Sequence, residues 1–468
     1  MKSNAHSKRW TALLLLCTAQ FLVIMDTSII GVALPAIKAD LGYTQSGLQW
    51  IFNAYVIFFG GLLLLGGKLS DLFGSRKVFN WGFLILTLSS LFAGLAWSDM
   101  ALNTARALQG VGSALIAPSA LTLLLSTFTD PKELNKAFGF WGASAAAGGS
   151  AGVFFGGAIT EWLSWNWIFL INIPIGIAVL FYSKKYLKKG VSKKGNVDIL
   201  GAVLITSALV LTVYSIVSAE NVGWTSVQTI GLLSLSLALF LIFLLSQKKK
   251  QEPLISLSIF KAPNLSSGNI VMALLAGSWI PLWFYLNLYL QQILNYSAFE
   301  SGLALLPMTI CIMLVMVGFT GKLVGKFGFK SNLIVGLLLL TLSLLLFGTA
   351  PVEGSFLSNV LPASLLGALG MSLAYIPGTI AATSGAKPEE TGLASGLVSS
   401  SYQIGSAIGL AVIVAIAAFY TSSIDATTTK LTALNEGFRF AFNSAAILSF
   451  SALLIAAVYI KKPEQIIN

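Results

Sequence analysis

Asp26 and Arg106 are the two residues whose types and positions could do chemistry. Asp26 sits inside the first long apolar run, Trp10 to Leu34, and Arg106 inside the fourth. A bare carboxylate in hydrocarbon is costly, and is retained where it faces a partner, a bundle interior or a water-filled cavity. Every other Asp and Glu lies in a loop or near the end of an apolar run, and Arg106 is the one Arg or Lys within such a run rather than beside one. An arginine stays protonated, so its part would be to pair with and tune a carboxylate that gains and loses a proton. The plainer alternative is a static ion pair holding two helices together.

The elements that must position this pair follow from composition. The 468 residues are 56% hydrophobic and only 10% charged, with a mean hydropathy of +0.85. Water-exposed domains carry roughly 25% charge, and apolar runs of about 20 residues read as membrane-spanning helices. The chain is therefore expected to be an all-α polytopic membrane protein. Spans are placed at 10–32, 48–66, 78–97, 101–125, 138–159, 166–184, 198–218, 226–246, 268–290, 302–321, 331–349, 357–381, 394–420 and 441–460, fourteen in all. The first run follows Lys2, Lys8 and Arg9, but it is long and has no small-residue cleavage site, so it is expected to be retained.

Charge tests the count. With the N-terminus cytoplasmic, the inside segments are 1–9, 67–77, 126–137, 185–197, 247–267, 322–330, 382–393 and the C-terminal tail. They hold nearly all the basic residues, including Lys184, Lys185, Lys188, Lys189, Lys193 and Lys194 beside one span end and Lys248, Lys249 and Lys250 beside another. The outside loops hold only Lys38, Lys430 and Arg439, and carry Asp99, Glu161, Glu220, Glu300 and Glu353. Both termini are thus expected inside, with an even number of spans. The formal charge of +11 is spread along these loops, which argues against nucleic-acid binding. Cys17 and Cys311, both in apolar runs, offer neither a disulfide scaffold nor a thiolate metal site, and no Gly-rich loop ends in Lys-Ser/Thr. Neither metal, cofactor nor enzymatic activity is expected.

The turn after the second span, Gly67-Lys68-Leu69-Ser70-Asp71-Leu72-Phe73-Gly74-Ser75-Arg76-Lys77, is echoed by Gly321-Lys322-Leu323-Val324-Gly325-Lys326-Phe327-Gly328-Phe329-Lys330. Such duplication is the usual basis of a two-bundle transporter. It divides the chain into a six-helix bundle over 1–190, an inserted helix pair with flanking loops over 191–262, and a second six-helix bundle over 263–468.

The Gly67–Lys77 turn resembles the signature of the major facilitator superfamily, in which Gly67 and Gly74 permit a tight turn and Asp71 and Arg76 latch the bundles. Further residues resemble its 14-helix drug:proton antiporter branch. They are Met25-Asp26-Thr27 through Pro35; Asn103, Arg106, Gln109, Gly110 and Gly112; and Trp165-Asn166-Trp167-Ile168-Phe169-Leu170-Ile171-Asn172-Ile173-Pro174-Ile175-Gly176, the longest match. Gly142, Gly148, Gly149, Gly152, Gly156 and Gly157 resemble its antiporter motif, and the four-residue spacing of Gly148, Gly152 and Gly156 puts small residues on one helix face. Tyr289–Gln292, Gly302–Pro307, Gly392–Leu397 and Tyr402–Gly405 extend the resemblance over essentially the whole chain. The departures are Gly31, Val153, Asn166, Gly325 and Tyr402.

The resemblance implies a proton-driven antiporter that exports lipophilic cationic or zwitterionic drugs across a bacterial plasma membrane, with one chain sufficient as a monomer. Asp26 would exchange a proton while Arg106 tunes it, and the bundles would expose the site to each side in turn. Candidate substrate contacts are Gln20, Asn53, Tyr55, Trp141, Trp279, Trp283, Tyr285, Asn287, Tyr375 and Gln403, since aromatic rings and a carboxylate suit a hydrophobic cation. Trp and Tyr also belong at membrane interfaces. The same scaffold could instead carry one metabolite, such as an amino acid or siderophore, and a non-transporting receptor or scaffold is a further alternative.

Overall fold

The bilayer offers the backbone no water, so each N–H and C=O of an apolar run must be satisfied within the run, and helices result. The computed structural model describes residues 2–190, 195–387, 390–424 and 428–461, and these are all-α. Lys193, Lys194 and the end of the C-terminal tail lie outside them. The helices are α1 (Lys2–Leu41), α2 (Trp50–Phe73), α3 (Ser75–Gly94), α4 (Asp99–Thr127) and α5 (Pro131–Trp162). Next come α6 (Trp167–Leu170), α7 (Asn172–Tyr186), α8 (Ile199–Val222), α9 (Val227–Lys249) and α10 (Leu265–Leu288). The last are α11 (Ala298–Val315), α12 (Gly321–Phe347), α13 (Leu361–Thr383), α14 (Thr391–Ser423) and α15 (Lys430–Tyr459).

Among the described residues, twelve helical stretches are long and apolar enough to cross a membrane. The sequence places fourteen spans, and one merged pair and one omitted segment account for the difference. Those at 302–321 and 331–349 fall in one 50-residue stretch, Ala298–Phe347, within which Gly328 is non-helical at φ 77° and ψ 161°. The segment at 138–159 lies in α5, which is rich in Gly, Ala and Ser and is not among the twelve.

The chain forms two compact units: Met1–Leu209 with Leu239–Leu254 and Ser297–Leu306, and Val210–Ala238 with Ile255–Tyr296 and Pro307–Asn468. Helices α8 and α9 each contribute to both. In the first unit, Leu16 and Leu22 of α1 share a core with Phe79 and Phe83 of α3 and Ile116 and Leu124 of α4. Helix α5 lies against α1 through its glycine face. A Cβ on Gly148 would sit 2.5 Å from the Phe21 carbonyl oxygen and one on Gly156 2.7 Å from that of Ile29, while one on Gly152 would strike Ser28 Oγ. On the adjoining face, a Cβ on Gly157 would come 2.6 Å from the Ala298 carbonyl oxygen, where the N-terminal turn of α11 packs. The Ala298 N–H donates to Glu161 at 3.1 Å, and the Phe299 ring lies 4.9 Å from that of Trp162.

In the second unit, α10 packs against α14 and α15, and α12 against α13 and α15. The repeated turn is visible in the backbone of both units. Gly74 joins α2 to α3 at φ 87° and ψ 129°, and Gly328, seven residues after Gly321 as Gly74 is after Gly67, takes nearly the same extended, positive-φ conformation. Only glycine adopts that region readily.

Candidate functional site

Five helices of the first unit converge on Asp26. Arg106 and Gln109, three residues apart on α4, share one helix face. Helix α4 starts where the Ser98 hydroxyl caps the Ala101 N–H at 3.2 Å. The side chain of Asp26 is 1% exposed and that of Arg106 is fully buried. Arg106 Nη1 donates to Asp26 Oδ2 at 2.5 Å and to Gln109 Oε1 at 2.7 Å, and its Nε donates to the Ile51 carbonyl of α2 at 3.0 Å. Gln109 Nε2 donates to Asp26 Oδ1 at 3.3 Å and to Ser90 Oγ of α3 at 2.8 Å. The Tyr55 ring of α2 lies 4.5 Å from the guanidinium carbon, and its hydroxyl bonds to Ser113 at 2.8 Å.

The fifth helix supplies Asn172, whose Nδ2 reaches Asp26 Oδ1 at 3.2 Å and Ser90 Oγ at 3.4 Å. Asn172 opens α7 directly after α6 ends at Leu170, with Ile171 between them in right-handed helical conformation. Pro174 has no N–H to give the Leu170 carbonyl, which favours an interruption at this point. Two atoms of the cluster are buried with no hydrogen-bond partner, Arg106 Nη2 and Asn172 Oδ1. Asp26 is thus a desolvated carboxylate with three side-chain donors around it, one of them a fixed cation. Protonating it would cancel its attraction to Arg106.

The model of the Major Facilitator Superfamily matches residues 16–410. The chain belongs to that superfamily. It is 36% identical to the cephamycin export protein CmcT of Amycolatopsis lactamdurans over 90% of this chain and 87% of that protein. It is 34% identical to the puromycin resistance protein pur8 of Streptomyces alboniger over 87% of this chain and 81% of that one. A solved auto-inhibited peptide transporter of the POT family superposes with a TM-score of 0.69 at 16% identity, over 98% of each chain, which bears on the fold alone. As a major facilitator protein, the chain is a multi-pass bacterial membrane transporter and not an enzyme.

The expected substrate contacts of this facilitator are scattered. Tyr55 belongs to the Asp26 cluster. Asn53 is fully buried, donating to Gln49 at 3.4 Å, and Gln20 and Trp141 are half-buried in the same unit. In the second unit, Asn287 is buried and donates to the Trp283 carbonyl at 2.8 Å. Trp279 and Trp283 pack edge to face at 6.1 Å, Tyr285 is buried against Phe438 and Phe442, and Gln403 is half-buried. Of these residues, Tyr375 lines a cavity of about 180 Å³ with Met272, Thr379, Val398, Ser399 and Tyr402, and no lining residue is charged. The Tyr375 and Tyr402 rings meet at 5.3 Å and 86°. Sequence reasoning passed over Ser90, Gln109, Asn172 and Tyr402 as site residues. The last three lie in segments it quoted, whereas nothing in the sequence marks Ser90.

Among the conformational candidates, Arg76 does not pair with Asp71. It donates to the Lys184 and Leu187 carbonyls at 3.1 Å each, tying the start of α3 to the end of α7. Lys68 in the same turn pairs with Glu252 at 3.1 Å. Glu252 also accepts the Asn196 N–H at 3.0 Å, and that bond, with Lys68, holds its carboxyl below the usual range. Beside them, Asp198 caps α8 through the Gly201 N–H at 2.7 Å and accepts from Gln247 at 2.6 Å and from Lys250. Burial works to raise the Asp198 carboxyl, but the Lys250, Gln247 and Gly201 donors outweigh it and hold the group below its ordinary value.

Proposed function

We propose that this chain is a proton-coupled antiporter of the 14-helix drug:proton branch, exporting lipophilic cationic or zwitterionic compounds by alternating access. The observation that carries the reading is the desolvated Asp26–Arg106 pair in a superfamily member whose relatives include antibiotic exporters. Asp26 takes a proton when its side of the membrane is the more acidic, and its hold on Arg106 loosens. Drug binding from the cytoplasm favours release of that proton, and the drug leaves on the next outward turn. The proton gradient is the sole energy source, and one chain suffices.

The fourteen-span count is supported by the break at Gly328 within the 50-residue stretch Ala298–Phe347 and by the 32 residues of α5. Both termini are cytoplasmic on the distribution of Lys and Arg. The domains are the bundles over 1–190 and 263–468 with the helices between them inserted. Gly67, Asp71, Gly74 and Arg76, with the α5 glycines, serve the conformational change rather than binding. Drug susceptibility of a bacterial host expressing the chain tests the export reading. Raised tolerance to unrelated lipophilic cations such as ethidium supports it, and unchanged tolerance to all of them, with altered handling of one amino acid or siderophore, would replace it by the metabolite reading.

A further inference from the structure

The Asp26 cluster contains one acceptor that the ionised site leaves unused, Asn172 Oδ1. An ionised carboxylate only accepts hydrogen bonds, so Asn172 must turn its NH₂ toward Asp26, as the 3.2 Å contact has it. A protonated carboxyl acquires an O–H and needs an acceptor. Arg106 has none to give. Gln109 is committed at both ends, its Oε1 accepting from Arg106 Nη1 and its Nε2 donating to Asp26 and Ser90. Asn172 alone in the cluster can serve both states, because a half-turn of its amide exchanges Nδ2 for Oδ1 at the same place.

Resting on the reading of Asp26 as the proton site, we infer that Asn172 is the positioning residue that follows Asp26 through its proton cycle. It donates to the carboxylate, then accepts from the acid. On protonation an O–H bond forms on Asp26 Oδ1, the Arg106 pair loses its opposing charge, and the new O–H donates to Asn172 Oδ1. The proton leaves by the reverse exchange. The acid is thereby held in place while Arg106 is free to move. The charged and titratable groups that face Asp26 are Arg106 from α4 and Tyr55 from α2. Helix α3 offers Ser90, α4 also offers Gln109, α7 offers Asn172, and the face of α5 against α1 offers the glycines at 148, 152 and 156.

The test is the pH dependence of ethidium–proton exchange in proteoliposomes of the full chain, read together with infrared difference spectra across the titration. Asn172→Leu removes both donor and acceptor. Losing the donor to the ionised form raises the transport midpoint, and losing the acceptor to the acid lowers it. Because a hydrogen bond to a charged group is worth more than one to a neutral group, the net move should be to higher pH by about one unit, a tenfold change in proton affinity. The acid carbonyl band of Asp26, assigned by its loss in Asp26→Asn, should shift to the higher frequency of an unbonded acid. Asn172→Ser, whose hydroxyl can donate and accept, should keep most of the native midpoint and band position. A native midpoint and unshifted band in Asn172→Leu would overturn the inference. So would a free-acid band in the unmodified protein, a measurement that needs no variant to fold. If Asp26→Asn kept native pH dependence and the same band, the assignment of Asp26 itself would fall instead.

Discussion

Removing Arg106 should damage the protein more than removing Arg106 and the charge of Asp26 together. In Arg106→Leu, the Asp26 carboxylate keeps only the Gln109 and Asn172 amides, at 3.3 and 3.2 Å. Two opposite charges about 4 Å apart attract by roughly 4 kcal/mol at an effective dielectric constant of about 20. Breaking one side of a buried pair typically costs about 3–5 kcal/mol, because the partner is left uncompensated. In Arg106→Leu/Asp26→Asn no charge is stranded, and the amide that replaces the carboxylate would retain contact with Gln109 and Asn172. The double variant should therefore be more stable than the sum of the single changes predicts, by about 2–3 kcal/mol of coupling. Detergent-solubilised protein followed by tryptophan fluorescence during thermal and denaturant unfolding gives the four corners of the cycle. Additivity to within about 0.5 kcal/mol would refute the pairing energetics.

Three other perturbations test separate parts of the structure. Gly148→Ala places a methyl 2.5 Å from the Phe21 backbone, which cannot yield without parting α5 from α1, whereas a Cβ on Gly149 meets nothing within 4 Å. The first should lose about 1–3 kcal/mol and most transport, the second neither, as melting and ethidium efflux would report; equal effects would count against the glycine face. Asp198→Asn keeps the α8 cap but loses the charge that Lys250 faces. Because the folded-state value of Asp198 is depressed, its contribution is present at neutral pH and fades as pH falls through that value. The variant should melt lower at pH 7, by an amount worth about 1 kcal/mol or less, and the difference should vanish as pH falls through the depressed Asp198 value. Tyr402→Ala opens the 180 Å³ cavity and should change relative transport of bulky and small compounds by about tenfold while leaving proton coupling intact. An unchanged spectrum in competition assays would remove that cavity from the substrate path.

Asp26 and Arg106 stood out in the sequence because a charge inside an apolar run is costly and therefore conspicuous. The α5 face was legible for a similar reason, since a four-residue glycine spacing has few uses in a helix other than close packing. The doubled turn was legible as spacing, and Gly74 and Gly328 show why it is glycine: both need a positive φ. Ser90 was not legible, because serine is tolerated at many helix positions and only the approach of α3 to α7 makes this one a bridge. Asn172 lay in plain view within a quoted motif. Its role depends on the approach of α7 to α1 and on an unpartnered oxygen, neither of which a sequence reveals. Tyr55, an expected substrate contact, has its ring 4.5 Å from the Arg106 guanidinium, a placement its residue type alone does not disclose. Aromatic residues serve core, interface and ligand alike, so their type alone does not sort them.

Proton counter-transport in proteoliposomes is the most direct test of Asp26 as the coupling site. With a pH-sensitive dye enclosed and ethidium added down its own gradient, the native chain should move protons the opposite way. Asp26→Asn should move none while still binding ethidium. Proton movement of native size in Asp26→Asn would contradict the account and leave Asp26 and Arg106 as a structural pair.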